Sequence, residues 1–364
     1  MARKNENLHS AKKAKNDEFY TQLSDIEREM KYYRPHFAGK TILCNCNDAL
    51  HTGFATHFSL MFNVYGLKEL ICTSFNPDGQ GMVYRYHGDV NGNGIPDIEE
   101  WDKIPMEGNG GFNTPEGIAL LDEADIIVTN PPFSLFREFI ALLIEHNKKF
   151  IIIGNLNAIT YKETFPLLKN NEMWMGATCF NGGATHFIAP NELYDPDKMY
   201  NEKNAFFNEK GEFMWRVNGV RWFTNLDHAK RHEPLDLYKR YTPEEYPKYD
   251  NYDAINVDKV CDIPEDYKGM RGVPISFLDK YCPEQFEILG CTQRGCHDLV
   301  PDTKKYDDFI EMKPDGTPTG SKGGKTNENA NIKGNDGKKN YFINNDGYMV
   351  QSLYGRIFIR FKNV

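Results

Sequence analysis

The sequence lacks the features that mark secreted and membrane proteins. Its eight cysteines form no Cys-x-x-Cys pair, and several lie within apolar runs, so we expect reduced, buried thiols rather than disulfides or a zinc site. The basic N-terminus has no apolar core of a secretory signal, and no apolar stretch approaches the roughly 18 residues of a membrane-spanning helix. We therefore expect a cytoplasmic protein without a membrane partner.

The sequence also lacks an excess of positive charge. Its 52 acidic residues outnumber its 43 Lys and Arg residues, and the formal net charge of -9 argues against a uniformly basic DNA-binding protein. The charges are segregated, however: residues 1–16 and 314–364 are rich in Lys and Arg, whereas residues 233–270 are rich in Asp and Glu. This pattern suits a sequence-selective enzyme that acts on DNA, and an ordinary solvated surface explains it equally well.

What the sequence does contain is an alternation of apolar runs and helical patterns. The apolar runs predict strands at residues 40–45, 69–74, 82–87, 125–129 and 149–154. Between the last two runs, residues 134–147 carry apolar side chains at helical spacing, which completes a strand–helix–strand unit. Strands that are apolar on both faces are typical of a parallel sheet covered by helices, so we predict an α/β fold. Further strands are predicted at 185–189, 214–224 and 355–361, and a mobile loop at 313–340.

The strand at residues 125–129 ends in Asn130-Pro131-Pro132-Phe133, a rigid turn at the position where open α/β sheets build their sites. The prolines remove two backbone donors and leave carbonyl acceptors. An adenine amine is a poor nucleophile because its lone pair is delocalised into the ring. The Asn130 side-chain oxygen and the Pro131 carbonyl would hold its two N–H groups, and Phe133 would stack on a base that has left the duplex. We therefore predict that an amine is methylated at this turn, and that its alignment with the methyl donor supplies much of the rate of methyl transfer.

Several blocks of the sequence resemble one enzyme family. They are Ala124–Glu138, Phe150–Asn155, Ala158–Glu163, Arg221–Leu226, Gly272–Leu278 and Gln285–Ile288. Thr129–Phe133 resembles the fourth motif of amino-methyltransferases, and together the blocks resemble the EcoRI-type adenine-specific DNA methyltransferases. The resemblance implies a Rossmann-like S-adenosylmethionine-dependent methyltransferase sheet with helices on both faces, and double-stranded DNA as the substrate. It also implies a bacterial or phage-encoded enzyme, either solitary or paired with a cognate restriction endonuclease without a stable complex.

The same resemblance implies which residues bind S-adenosylmethionine, Asn130 among them. Phe19-Tyr20-Thr21 resembles a segment that touches the cofactor in related enzymes, although a helix start explains it equally well. Cys44-Asn45-Cys46-Asn47-Asp48 occupies the place of the usual glycine-rich turn and is the candidate for the methionine end, with helix capping as the alternative role of its aspartate. The second strand ends without the usual acidic residue, so Thr73 or Ser74 would hold the ribose.

Residues 89–100 fit the twelve-residue calcium-loop pattern. Oxygen-bearing side chains at alternating positions would wrap a hard cation, and a glycine at the sixth position would permit the sharp turn. The segment before the loop is predicted to be a strand rather than the entering helix. A metal-free turn, or a position of the first aspartate beside the cofactor adenine, therefore stays open. The candidate ligands of a structural calcium ion are Asp89, Asn91, Asn93, Asp97 and Glu100.

We predict three parts of the chain: an arm with a cofactor-contacting segment at 1–35, a catalytic domain at 36–270 and a smaller target-recognition region at 271–364. The predicted function is site-specific methylation of the adenine N6 amine in DNA. One alternative keeps the same loop and methylates RNA or a protein glutamine. Another is a non-catalytic module that binds calcium or nucleic acid, and the intact Asn-Pro-Pro-Phe loop argues against it.

Overall fold

The computed structural model describes residues 21–45, 49–50, 52–180, 184–189, 194–196, 198–292, 304–306, 309–321, 327–334, 336–344 and 346–362. The chain forms two compact units. The first comprises Met1–Ala158 and Met173–Ala229, and the second comprises Ile159–Glu172 and Lys230–Val364. Within the described ranges, no helix is both long and apolar enough to cross a membrane. The three-part division predicted from the sequence stays a prediction.

The strands of the first unit belong to two sheets. They are β1 (Thr41–Asn45), β2 (Glu69–Ser74), β3 (Met82–Tyr86), β4 (Trp101–Pro105), β5 (Ile126–Thr129), β6 (Lys149–Asn155), β7 (Trp174–Cys179), β8 (Ala184–Ile188), β9 (Ala205–Phe207), β10 (Phe213–Asn218) and β11 (Val220–Thr224). The central sheet has the order β4-β3-β2-β1-β5-β6-β11-β7. Strands β2, β1, β5 and β6 pair in parallel, and antiparallel pairs extend the sheet on both sides. The parallel strands that the apolar runs predicted are confirmed.

A smaller sheet with the order β8-β10-β9 lies in the chain between β7 and β11. We call it the insert sheet. The prediction of a single long strand at 214–224 was wrong, because the chain turns at Gly219, whose φ of 73° lies in the left-handed region that glycine adopts without strain. Residues on the two sides of this turn belong to different sheets: β10 pairs with β8, and β11 pairs with β6.

Helices cover the central sheet on both faces. They are α1 (Leu23–Met30), α2 (Gly53–Leu60), α3 (Phe62–Tyr65), α4 (Pro115–Glu123) and α5 (Phe136–Glu145). Ile26 of α1 and Phe58 of α2 belong to a buried cluster with Trp222 of β11. Phe136 of α5 instead contacts Phe223, the next residue of β11, with ring centroids 5.2 Å apart. Because neighbouring side chains of a strand point to opposite faces, α1 and α2 lie on one face and α5 on the other. The predicted α/β fold is therefore confirmed.

The second unit consists of smaller sheets. Its elements are α6 (Phe165–Lys169), β12 (Ile255–Asn256), β13 (Arg271–Pro274), β14 (Phe286–Cys291), β15 (Asn331–Lys333), β16 (Phe342–Ile343), β17 (Met349–Ser352) and β18 (Arg356–Phe361). They form one sheet with the order β12-β13-β18-β14 and another with the order β15-β17-β16. Strand β15 lies within the segment 313–340, for which the sequence predicted no regular structure, and pairs with β17.

Candidate active site

The order of the central sheet defines one edge at which a site is expected. From β1 the chain continues to β2 on one side, and it later returns to β5 on the other side. Ligands of open α/β sheets bind outside the carboxyl ends of the strands at such a reversal of strand order. Here those ends are Asn45 of β1 and Thr129 of β5, and Asn130 is the next residue. The structure thus brings the predicted catalytic turn to the end of β1.

A buried hydrogen bond joins the two strand ends. The Thr129 hydroxyl donates to the Asn45 carbonyl at 2.6 Å, and Thr129 is fully buried. Within the turn itself, the Pro132 carbonyl accepts from the Leu135 N–H at 2.9 Å, so this carbonyl is occupied. Phe133 is half-buried and packs against the core cluster that also contains Trp222. The turn is therefore held on both sides, by β1 and by the core beneath its aromatic ring.

Two buried polar atoms at this edge have no hydrogen-bond partner among the residues that the structure describes. They are the Asn45 side-chain oxygen and the Thr21 hydroxyl oxygen, and both belong to residues predicted to bind the cofactor. A buried polar group without a partner costs about 1–3 kcal/mol, so such groups call for an explanation by a ligand or by water. A polar ligand such as the methionine end of S-adenosylmethionine would supply the missing partners. The residues present therefore fit the cofactor that the sequence predicts.

A glycine that the sequence analysis missed brings Thr21 to this edge. An ideal Cβ on Gly53, the first residue of α2, would lie 2.7 Å from the Thr21 carbonyl oxygen and 2.8 Å from Ile26 Cδ1. The absence of a side chain at Gly53 therefore allows the segment before α1 to contact the start of α2. The sequence signal was the pair Thr52-Gly53, in which the Thr52 hydroxyl accepts from the Ala55 N–H and caps α2.

The residues predicted to hold the ribose differ in their surroundings. Thr73 is buried and lies opposite Asn45 in the β1–β2 pair. The Ser74 hydroxyl accepts from the Met82 N–H at 3.1 Å, which ties it to β3. Next to it, an ideal Cβ on Gly110 would lie 2.1 Å from the Ser74 carbonyl oxygen. The Gly-rich segment around Gly110 therefore crosses the end of β2, which sequence reasoning did not anticipate.

Of the other residues predicted to bind the cofactor near the ends of the strands and before α1, the structure describes Cys44. Cys44 is buried and belongs to the core cluster on the face of α1 and α2. Phe19, Tyr20, Cys46, Asn47 and Asp48 lie outside the described residues. Their assignment stays a prediction.

The segment that carries Thr21 is anchored through a buried carboxylate on α1. Glu29 is fully buried and accepts hydrogen bonds from the Ala177 N–H at 2.7 Å, the Thr178 N–H at 2.8 Å and the Tyr33 hydroxyl at 2.8 Å, as well as from the Thr178 hydroxyl. Burial raises the pKa of Glu29, and these hydrogen bonds act in the opposite direction. The carboxylate joins the last turn of α1 to β7, and the helix in turn holds the segment that precedes it.

The predicted calcium loop forms a compact, internally bonded turn. Asp89 accepts from the Gly92 and Gly94 N–H groups at 2.6 Å each, and Asp97 accepts from the side-chain amides of Asn91 and Asn93. The five candidate ligands are thus brought together, with Glu100 accepting from the N–H groups of Val90 and Asn91. Among the described residues, however, no group of three or more His, Cys, Asp and Glu side chains is arranged to hold a metal ion.

Comparisons with known proteins give a consistent result. The family model described as "Adenine-specific methyltransferase EcoRI" matches residues 7–362. The type II methyltransferase M.EcoRI of Escherichia coli is 46% identical over 302 residues, which cover 78% of this chain and 89% of the relative. The type II methyltransferase M.MpnI of Mycoplasma pneumoniae is 41% identical over 286 residues, or 78% of this chain and 85% of the relative. M.MgeORF184P of Mycoplasma genitalium is 39% identical over 308 residues, or 84% and 92%. No solved structure matches.

Proposed function

Because the chain belongs to the family of EcoRI adenine-specific methyltransferases, we propose that its turn Asn130–Phe133 methylates the N6 amine of an adenine flipped out of duplex DNA. The chain is an adenine-specific DNA methyltransferase, and its methyl donor is S-adenosylmethionine. The observation that carries the assignment of the turn is its position: it follows β5 at the reversal of strand order, and the bond from Thr129 to Asn45 joins it to the end of β1.

In this mechanism the protein positions the amine and shields it from water. The Asn130 side-chain oxygen and the Pro131 carbonyl accept the two N–H groups of adenine, which directs the nitrogen lone pair toward the methyl donor. Phe133 stacks on the base, and its packing on the core fixes the plane of that stack. The bound cofactor supplies a methyl group on a positively charged sulfur, which is a strong electrophile. Alignment therefore contributes much of the rate.

The cofactor site of this proposal combines the ends of β1 and β2 with the segment before α1. Asn45 and Thr21 offer the polar end of the cofactor two buried oxygens that have no partner within the described ranges, and Thr73 offers its hydroxyl to the ribose. Ser74 acts through its bond to β3, which holds the end of β2 in place.

Substitution of Asn130 tests the role of the turn. Removal of one preorganised polar group from a reacting centre typically slows the reaction by about 100- to 1,000-fold, so we expect Asn130→Ala to lower kcat on DNA by at least about 100-fold. Asn63→Ala is the matched control, because this amide is exposed on α3, before the start of β2 and thus at the opposite edge of the sheet. Near-normal turnover of Asn130→Ala with labelled S-adenosylmethionine would remove the mechanism.

Substrate class is tested in parallel with the same labelled cofactor. Purified duplex DNA, RNA and protein are offered separately to the enzyme, and we expect label only in DNA. Label in RNA or in protein glutamine would support the alternative amino-methyltransferase, and absence of cofactor binding in calorimetry would support a non-catalytic module.

We also propose that the enzyme works in the bacterial cytoplasm, where methylation protects DNA from a cognate endonuclease. Extracts of the source strain that cut unmethylated DNA but not methylated DNA would reveal that partner.

For the loop 89–100 we propose a structural calcium ion. The carboxylates of Asp89, Asp97 and Glu100 already turn inward, where they accept amide N–H groups. A calcium ion requires the Asn91 and Asn93 side chains to turn their oxygens toward it, which exchanges the bonds that these oxygens accept from the Asn93 and Ile95 N–H groups for bonds to the ion. Addition of excess chelator is expected to lower the melting temperature of the metal-loaded protein, and Asp89→Asn is expected to abolish that effect. An unchanged melting curve with chelator would rule the ion out.

A further inference from the structure

The insert sheet presents an unusual face near the predicted active site. In the β8–β10 pair, His186 lies directly opposite Arg216, so their side chains share one face of the sheet. Phe206 of β9 lies opposite Met214, two residues from Arg216 and therefore on that same face, and its ring contacts His186 at 5.0 Å. We call His186, Phe206 and Arg216 the outer face. It combines a cation with exposed aromatic surface.

The other face of the insert sheet is covered by the protein. Phe187 is fully buried in the main core cluster, and Trp215, which lies opposite it, packs in a cluster with Ala205 and Phe213. On the outer face, by contrast, Phe206 is 37% exposed and Arg216 is exposed, although Met214 on the same face is buried. Within the described ranges, no ion pair includes Arg216. An exposed cation that forms no ion pair with the described part of the chain suits an anionic ligand.

Two contacts place this sheet at the edge of the central sheet that carries the catalytic turn. The Asn155 side-chain amide at the carboxyl end of β6 donates to the Asn218 carbonyl at 3.1 Å. The Gln22 side-chain amide donates to the His186 carbonyl, and Gln22 is the neighbour of Thr21 in the cofactor segment. Arg216 is two residues from Asn218, which corresponds to about 7 Å along a strand. It therefore stands just outside the edge where a flipped base must enter.

We propose that the outer face is a DNA-backbone contact, in which Arg216 binds a phosphate close to the target adenine while Phe206 packs on the adjoining sugar. This inference rests on the proposed function, because that function places duplex DNA at this edge. The planar guanidinium suits a phosphate, which it binds with two parallel hydrogen bonds. A phosphate contact positions the duplex without reading its sequence. The proposal thus adds a positioning residue outside the catalytic turn.

Salt dependence of DNA binding separates this role from a structural one. Each phosphate contact contributes about 0.9 to the slope of log K against log salt. We expect Arg216→Gln to bind a fluorescein-labelled duplex about tenfold more weakly, whether the duplex carries the methylated sequence or a scrambled one. A fourfold rise in KCl concentration should weaken DNA binding by the wild type about 3.5-fold more than DNA binding by the variant. Arg216→Lys should restore the slope, because it keeps the charge.

The matched control is Lys149→Gln, which removes an exposed cation at the amino end of β6, on the opposite edge of the sheet. This control substitution should leave the affinity for DNA and the slope of log K against log salt unchanged. For Arg216→Gln, kcat at saturating DNA and the affinity for S-adenosylmethionine should also equal the wild-type values. An unchanged slope, a loss confined to one DNA sequence, or weakened cofactor binding would each overturn the proposal. A wild type that binds DNA but methylates none would instead refute the proposed function, so the two failures are distinguishable.

Discussion

Removal of the Glu29 carboxylate should destabilise the first unit strongly. In Glu29→Ala, the Thr178 N–H loses its acceptor and the Ala177 N–H keeps only the longer bond to the Tyr33 hydroxyl at 3.3 Å, in a region where Glu29 itself is fully buried. Each orphaned buried donor costs about 1–3 kcal/mol, and the hydroxyls of Tyr33 and Thr178 can rotate toward other partners. We therefore expect a loss of about 3 kcal/mol, which is a large part of the roughly 5–15 kcal/mol that stabilises a typical protein.

Urea unfolding and hydrogen exchange measure this loss. With an m-value of about 3 kcal/mol per M, the midpoint should fall by about 1 M, and the amides of Ala177 and Thr178 should exchange faster than their neighbours. Because α1 positions the segment that carries Thr21, the affinity for S-adenosylmethionine should fall as well. Glu27→Ala removes an exposed carboxylate from the same helix and should change stability by less than about 0.5 kcal/mol. A loss in Glu29→Ala no larger than that of the control would refute the reasoning.

Three further predictions concern the same region. Thr129→Val keeps the shape of the side chain but removes the hydroxyl that donates to the Asn45 carbonyl. We expect kcat to fall in rapid-mix kinetics, and the free energy of unfolding to fall by about 1 kcal/mol in urea titrations. Gly53→Ala places a Cβ 2.7 Å from the Thr21 carbonyl oxygen and should weaken cofactor binding in calorimetry; equal affinity would contradict the close contact. Because burial raises the pKa of Glu29, the folded state keeps its proton to higher pH than the unfolded state does. The stabilisation that Glu29 contributes is therefore full below pH 4.5 and declines as the pH rises through the raised pKa. Glu29→Gln should abolish this pH dependence of the free energy of unfolding.

The family was predicted correctly, and the turn Asn130–Phe133 follows a buried strand as predicted, because both depend on local patterns. The catalytic role of the turn stays a prediction. A continuous apolar run such as Ile126–Thr129 suits a strand buried on both faces, and the following Asn130-Pro131-Pro132 cannot continue it. The same local reasoning failed at residues 214–224, where Gly219 separates two strands of different sheets. The pair Asn218-Gly219 was a turn signal within an otherwise strand-like segment, and the apolar pattern on both sides concealed it.

By itself, then, the sequence determined the α/β class and the parallel strands, and it led to the hypothesis about the chemistry of one turn, since each follows from residues close together in the chain. Tertiary structure alone decided which distant residues meet. Thr129 and Asn45 are 84 residues apart, and Glu29 and Thr178 are 149 residues apart. Their hydrogen bonds depend on strand order and helix packing, which a linear pattern does not specify. The burial of the Thr21 and Asn45 oxygens and the exposure of Arg216 arise in the same way, because burial and exposure are properties of the folded chain.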